Sequence, residues 1–191
     1  MMRKHAGSRR RGLWLALAAF LVLTGAGLVV WQSAVRADRQ MRTDLLQQTQ
    51  LAAQSLSLDD IRAMSFTVDD AGTPPFRRVQ RQLEEARRVM NAKWIYTMVV
   101  RDGRIIFGPD NTEEGTVEYE PPGDAYNDAP EELWQVVADH DSATAGPYTD
   151  EWGTFVSAFV PVFDPETNEL VMILGSDVDA SDWRWNVAAQ A

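Results

Sequence analysis

The sequence has 191 residues, 28 acidic against 18 basic, a net charge of −10 and no cysteine. That length holds one domain with appendages, and the lack of cysteine excludes disulfides and thiolate chemistry. The charge is unevenly placed. Arg3, Lys4, Arg9, Arg10 and Arg11 precede any acid, whereas Ile105 to Trp183 carries nineteen Asp and Glu and no Lys or Arg. Such a surface repels phosphate backbones, which argues against a nucleic-acid partner. It suits cationic or amine ligands and divalent ions, the plainer reading being a solvated acidic surface.

Leu13 to Trp31 is an uncharged run of nineteen residues. At about 1.5 Å per residue it spans about 28 Å, the thickness of a hydrocarbon core. Trp14 and Trp31 stand at its ends, where indole rings prefer the headgroup level. The basic segment 1–12 before it predicts a cytoplasmic N-terminus, with everything beyond Gln32 outside a bacterial inner membrane. A signal peptide cleaved after Val35-Arg36-Ala37 is the competing reading. The run exceeds the usual ~7–15 residues of such a peptide, which favours an uncleaved anchor.

Residues 32–57 lack Gly and Pro and carry an apolar stripe of Met41, Leu45, Ala52 and Leu56, with Leu46 and Ala53 beside it. A long membrane-proximal helix is expected, packing on its own domain, on a second copy, or on both. Ser57 to Ile61 reads as a capping box opening a short helix. After a loop at Val68–Thr73, Thr73-Pro74 reads as an N-cap with proline at the first helical position. Phe76, Val79, Leu83, Ala86, Val89 and Met90 then recur at helical spacing to about Asn91. The arginines on that helix, Arg77, Arg78, Arg81, Arg87 and Arg88, read as a solvated face turned toward the acidic half, with anion binding as the lesser alternative.

Trp94–Val100 and Ile105–Phe107 flank Asp102-Gly103 and predict a hairpin. Gly108–Asp128 is too long for an idle turn. Ala129–Leu133 opens a short helix, with Leu133, Val136 and Val137 inward and acids in its first turn. Thr154–Phe163 and Leu170–Val178 flank the turn-rich Asp164–Glu169 and predict a second, central hairpin.

Catalytic signatures are sparse. A zinc site or Ser–His–Asp relay in the body of the chain would rest on His140 alone. Asp164-x-Glu166-x-Asn168 imitates a calcium loop, but Glu169 stands where that loop needs glycine and Gly175 where it needs glutamate. Asp177 and Asp179 share one face of a strand, without evidence of a substrate cleft. The expectation is a binding module with no catalytic residues, no metal and no cofactor.

Three segments carry a resemblance: Trp152-Gly153-Thr154-x-Val156-Ser157-Ala158 with Pro161 beyond it, Gly175-x-Asp177-Val178-Asp179-Ala180 with Trp183 beyond it, and Pro121-Pro122-Gly123-x-x-Tyr126. Together they resemble the extracytoplasmic PAS-like, single Cache-type sensor domain of bacterial membrane receptors, over roughly Leu56 to Trp183. The resemblance implies an α+β fold of about five antiparallel strands, with the long helix on one face and a ligand pocket on the other. It divides the chain into a basic tail (1–12), a membrane span (13–31), a long helix (32–57), a sensor domain (58–183) and the start of a connecting segment (184–191).

On this reading the chain senses a small ligand for a histidine kinase or diguanylate cyclase type of receptor, whose effector is not in these 191 residues. It is expected to pair as a homodimer through the long helix. The alternatives are a stand-alone anchored binding protein and an anchored, metal-assisted hydrolase using the acidic face. The candidate ligand-binding residues are Tyr96, Tyr126, Tyr148, Trp152 and Asp177, polar-tipped aromatics and one acid beside the matched segments. The favoured ligand is small and polar, amine-bearing above all. For Asp177 a competing role is to cap the helix that begins near Ala180, and for Tyr96 and Trp152 it is core packing.

Overall fold

The computed structural model describes residues 5–112, 116, 119, 121–150 and 152–190. Arg3 and Lys4 of the basic tail, Glu151 and Ala191 lie outside them. A single helix, α1 (His5–Ser55), runs without interruption from the apolar segment into the domain. The expected membrane span and membrane-proximal helix are therefore one rod, as a stretch without Gly or Pro after Gly27 allows. Residues 17–32 are exposed along their whole length. This helix is long and apolar enough to cross a membrane.

From Ser33 onward α1 becomes progressively covered. Leu45, Ala52, Ala53 and Leu56 are buried, which is the stripe the spacing predicted. Ser57 opens α2 (Leu58–Arg62), its hydroxyl accepting the Asp60 amide. A single 3-10 turn at Val68–Asp70 leads to α3 (Pro74–Met90). Thr73 precedes α3 but does not cap it with its side chain: the hydroxyl instead donates to the Asp70 carbonyl at 2.8 Å. Ion pairs take up part of the arginine face, Arg78 to Asp60 and both Arg87 and Arg88 to Glu84.

Five antiparallel strands follow: β1 (Trp94–Arg101), β2 (Arg104–Asp110), β3 (Ala143–Asp150), β4 (Gly153–Phe163) and β5 (Leu170–Asp179). Their order across the sheet is β2-β1-β5-β4-β3. Each expected hairpin forms. Asp102 and Gly103 both take positive φ (51° and 71°), the geometry of a tight two-residue turn. The strand after Gly103 extends to Asp110, further than the apolar run suggested. Between β2 and β3, α4 (Glu131–Asp139) buries Leu133 and Val136. The chain then closes with α5 (Ala180–Gln190).

Alternation along the strands divides the core in two. One face turns Ile95, Val160, Met172 and Leu174 to α1, α2 and α3. The other turns Tyr96, Met98, Phe159 and Ile173 to α4 and the β2–α4 loop. One polar link bridges the α1 side: the Thr49 and Ser176 hydroxyls, both fully buried, lie 2.6 Å apart. Trp183 of α5 packs with Leu45 and donates its indole N–H to Asp38 at 2.8 Å. Arg42 pairs with Asp38, stacks on the Trp183 ring and reaches the Gly146 carbonyl at 2.8 Å. The first covered turns of α1, the last helix and strand β3 are thus tied at one place.

Candidate functional site

The central strand β5 lies between β1 and β4, and its C-terminal end sets out the site. Asp177 pairs across the sheet with Trp94 on one side and Ser157 on the other. All three therefore share the face opposite α1. Asp177 is only 5% exposed. Its carboxyl is pushed up to about 7, chiefly because burial penalises the charged form; the Ser157 and Tyr96 hydroxyls and Lys93 pull it down, and Asp150 pushes it up.

The Tyr96 hydroxyl donates to Asp177 Oδ1 at 3.1 Å. That reach depends on Gly175, the cross-strand partner of Tyr96. A Cβ at position 175 would stand 2.5 Å from Cε2 of the tyrosine ring. The glycine of the G-x-D segment thus makes the space through which Tyr96 crosses β5 to meet the aspartate.

Two loops complete the wall. Asp150 ends β3 and folds the turn behind it, with Oδ1 accepting the Trp152 and Gly153 amides at 3.0 and 3.1 Å. This is an Asx turn, and it carries Trp152 over the site. Pro121–Tyr126 lies along β2, where Phe107 N donates to Asp124 O and Tyr126 N to Ile105 O, each at 2.9 Å. That pairing delivers Tyr126, whose hydroxyl donates to Asp150 Oδ2 at 3.2 Å and sits 3.3 Å from the Tyr148 hydroxyl. Tyr148 in turn meets Ser157 Oγ at 3.0 Å. Burial raises the hydroxyl pKa of Tyr96, Tyr126 and Tyr148, so all three stay protonated hydrogen-bonding groups.

What results is a narrow cleft with walls of aromatic rings: Trp94, Tyr96, Phe107, Tyr126, Trp152 and Phe155. Three carboxylates, Asp110, Asp150 and Asp177, also line it, together with Asn111 and Thr112. No Lys or Arg is among the described residues that line it. The cavity between them is small, about 50 Å³. Lys93 stands beside the cleft, its Nζ 5.5 Å from the Trp94 ring centre and 5.0 Å from that of Phe155. The Trp94 indole N–H is buried without a hydrogen-bond acceptor among the described residues. A buried donor left unpaired is costly, and a bound molecule could supply the acceptor.

Of the five residues singled out in the sequence, Tyr96, Tyr126, Trp152 and Asp177 line one cleft. Tyr148 does not line it and instead supports Tyr126 and Ser157 from behind. The capping alternative for Asp177 falls to its neighbour. Asp179 accepts both the amide and the hydroxyl of Ser181, at 2.8 and 2.6 Å, at the start of α5. Trp94, Phe107, Phe155, Asp110 and Asp150 were missed. Trp94 lies two residues from Tyr96 on a strand, so period-two alternation could have found it. Asp110 and Phe107 could not be placed this way, because the β1–β2 register slips between Tyr96 and Met98.

Among the described residues no three of His, Cys, Asp or Glu converge as metal ligands. His140 ends α4 and packs on the Phe163 ring at 5.4 Å, outside the cleft lining. Asp164 binds the Glu166 and Thr167 amides and pairs with Arg62, closing its own turn.

No family model and no curated protein sequence matches the chain. Solved structures do. The sensor domain of the Vibrio cholerae histidine kinase DctB superimposes with a TM-score of 0.66 at 12% identity, covering 88% of this chain and 60% of that one. The ligand-binding domain of the Pseudomonas aeruginosa amino-acid chemoreceptor PctC, in complex with GABA, gives 0.56 at 13% identity, over 86% and 66%. The chain shares its fold with these two domains. The α+β architecture, the five-stranded antiparallel sheet and the long N-terminal helix expected from the sequence are all present. The chain spans about two thirds or less of these two structures' own lengths.

Proposed function

We propose that the chain is the membrane-anchored, extracytoplasmic ligand-sensing part of a bacterial signal-transduction receptor, of the kind coupled to a histidine kinase or diguanylate cyclase. The cleft at the end of β5 takes a small ligand with a positively charged, amine-type group directed at Asp177. One observation carries this reading: a buried carboxylate sits in an aromatic cleft with no Lys or Arg among its described lining residues. Hydroxyls and the nearby Lys93 offset the cost of burying this carboxylate only in part, since it still titrates at about 7, and an incoming cation would offset more of it. Its rings supply flat apolar walls, and the buried Trp94 N–H is a donor for an acceptor elsewhere on the ligand.

The basic residues before the apolar run support a cytoplasmic N-terminus and an external domain. Helix α1 is the element that carries a signal. It contacts β5 one residue from Asp177, through Thr49 and Ser176, and runs unbroken to the apolar segment. Pairing of two chains along α1 would make a small shift of that helix readable across a membrane. The domain divisions and the dimer belong to this proposal.

The test is thermal-shift screening of the full chain in detergent against small amines and small carboxylic acids, repeated on Asp177→Asn. Hits are expected among the cations. Loss of a charge-assisted hydrogen bond should weaken them in the variant by roughly tenfold to a hundredfold. Hits confined to carboxylic acids, or cationic hits that bind the variant equally well, would defeat the reading. A periplasmic reporter fused after Ala191 should be active with the N-terminal tag retained, and an inactive reporter would refute the topology.

A further inference from the structure

We propose that the rim of the domain nearest the apolar segment, formed by α5 and the adjoining turns of α1, is a docking surface for the anionic phospholipid headgroups of the membrane that α1 crosses. The proposal rests on the membrane-anchored reading above and adds a partner to it.

The first ground is position. Helix α1 is half-buried at Ser33, Ala34 and Val35 and buried at Ala37, all within two turns of Trp31, where the apolar run ends. The element packed on this end of α1 is α5, pinned there by the bond from Trp183 to Asp38. The covered residues of α5, Ala180, Trp183 and Val187, recur at helical spacing, so α5 still faces α1 one turn beyond that bond. The covering of α1 below Asp38 follows α5 down toward the apolar segment. At about 1.5 Å per residue, Arg36, Asp38 and Arg39 stand about 8, 10 and 12 Å beyond Trp31. The headgroup region is itself roughly 5–8 Å deep on each side of a bilayer. An arginine stem carries its guanidinium further into that layer.

The second ground is chemistry. Arg42 is engaged with Asp38. Arg36, Arg39 and Arg184 are exposed and form no ion pair among the described residues. Asp182 of α5 is the exposed acid that opposes them. This rim is thus basic in a chain whose segment from Ile105 to Trp183 holds no Lys or Arg. Arg184 and Trp185 line one hollow on the outer side of α5 with Ser181 and Ala188. Trp185 is 77% exposed, and an indole with a cation beside it suits the headgroup level, as Trp31 does at the end of the span. Once α1 is inserted, the bilayer is always within reach of this surface, which favours lipid over a protein partner.

The experiment places the full chain in nanodiscs of phosphatidylcholine alone and of an equal mixture with phosphatidylglycerol. Amide hydrogen exchange over residues 180–190 should be at least about tenfold slower in the mixture, since each arginine near an anionic surface is worth roughly a fivefold shift. Combining Arg36→Gln, Arg39→Gln and Arg184→Gln, which leaves the bond from Trp183 to Asp38 in place, should remove the difference. In the mixed discs a nitroxide on the lipid headgroup should quench both Trp31 and Trp185, each read as the quenching lost in Trp31→Phe or Trp185→Phe. Equal exchange in the two lipids, or slowing that survives the triple variant, would overturn the proposal. Quenching of Trp31 without Trp185 would overturn it and leave the membrane anchor standing; quenching of neither would overturn both.

Discussion

Replacing Asp177 by Asn should make the unliganded protein more stable at pH 8, and much less so at pH 5. In the fold the carboxyl titrates at about 7, against 3.8 for the ordinary group, because it is buried. A folded-state pKa above the unfolded one means that the native state holds its proton more tightly. The stabilisation is therefore full below about pH 4 and is lost as pH rises through 7. The whole shift of about three units corresponds to ~4 kcal/mol, at ~1.4 kcal/mol per unit. Between pH 5 and 7 two of those units are traversed, so the wild type should lose ~3 kcal/mol relative to a side chain that cannot ionise. Asn can still accept from the Tyr96 hydroxyl, and its amide can donate to the Ser157 hydroxyl. Thermal unfolding of the full chain in detergent should show the variant's advantage growing by roughly 5–10 °C from pH 5 to pH 8, given ~2–4 °C per kcal/mol at this size. An advantage that does not change with pH, or a variant that is less stable than the wild type at pH 8, would refute the reasoning.

Three further outcomes are expected. Gly175→Ala should displace the Tyr96 ring, destabilise the fold by about 1–3 kcal/mol and weaken ligand binding; unaltered binding would show that the Tyr96–Asp177 contact is dispensable. Thr49→Val should cost about 1–3 kcal/mol by leaving the Ser176 hydroxyl buried without its partner, and adding Ser176→Ala should recover part of that; chemical denaturation measures both, and independent, additive losses would contradict the pairing. Trp183→Phe should loosen α5, with faster amide hydrogen exchange over residues 180–190 and little change elsewhere; unchanged protection would mean that the Asp38 bond does not hold the helix.

The fold was legible where one signal dominated. Two apolar β-rich runs around a short turn can form little but a hairpin, and Asp102-Gly103 supplies the positive φ its turn requires. The stripe on α1 was equally plain, because Leu45, Ala52 and Leu56 have only one sheet to pack on. Thr73 stands at the N-cap position with proline after it, as the sequence suggests, and only the side-chain cap bond is missing, for a local reason. Its hydroxyl had a nearer acceptor in the Asp70 carbonyl, and proline at the next position leaves one amide fewer to satisfy.

The site was legible in part. Asp177 stood out as an acid inside a core strand, but Asp177 and Asp179 share one strand face. Only the start of α5 at Ala180 decides which of them caps. Tyr148 looked equivalent to Tyr126 in the sequence. The structure separates them, because Tyr148 leans on Ser157 while Tyr126 reaches the cleft over Asp150. Phe107 and Phe155 read as ordinary core residues, and nothing local distinguishes a core phenylalanine from one that walls a cleft. Asp150 needed the third dimension, since its contact with Tyr126 joins residues 24 apart.

The most direct test of the account is the pH dependence of ligand affinity at Asp177. The cation emerging from the screen would be titrated calorimetrically into the full chain at pH 8 and at pH 6, in wild type and in Asp177→Asn. A proton and a cation compete for the same buried carboxylate, which titrates at about 7 in the empty cleft. Wild-type affinity should therefore fall about tenfold from pH 8 to pH 6, while the variant binds weakly at both. Wild-type affinity that is the same at the two pH values, or a variant that binds as well as the wild type, would contradict the assignment of this cleft as the sensing site.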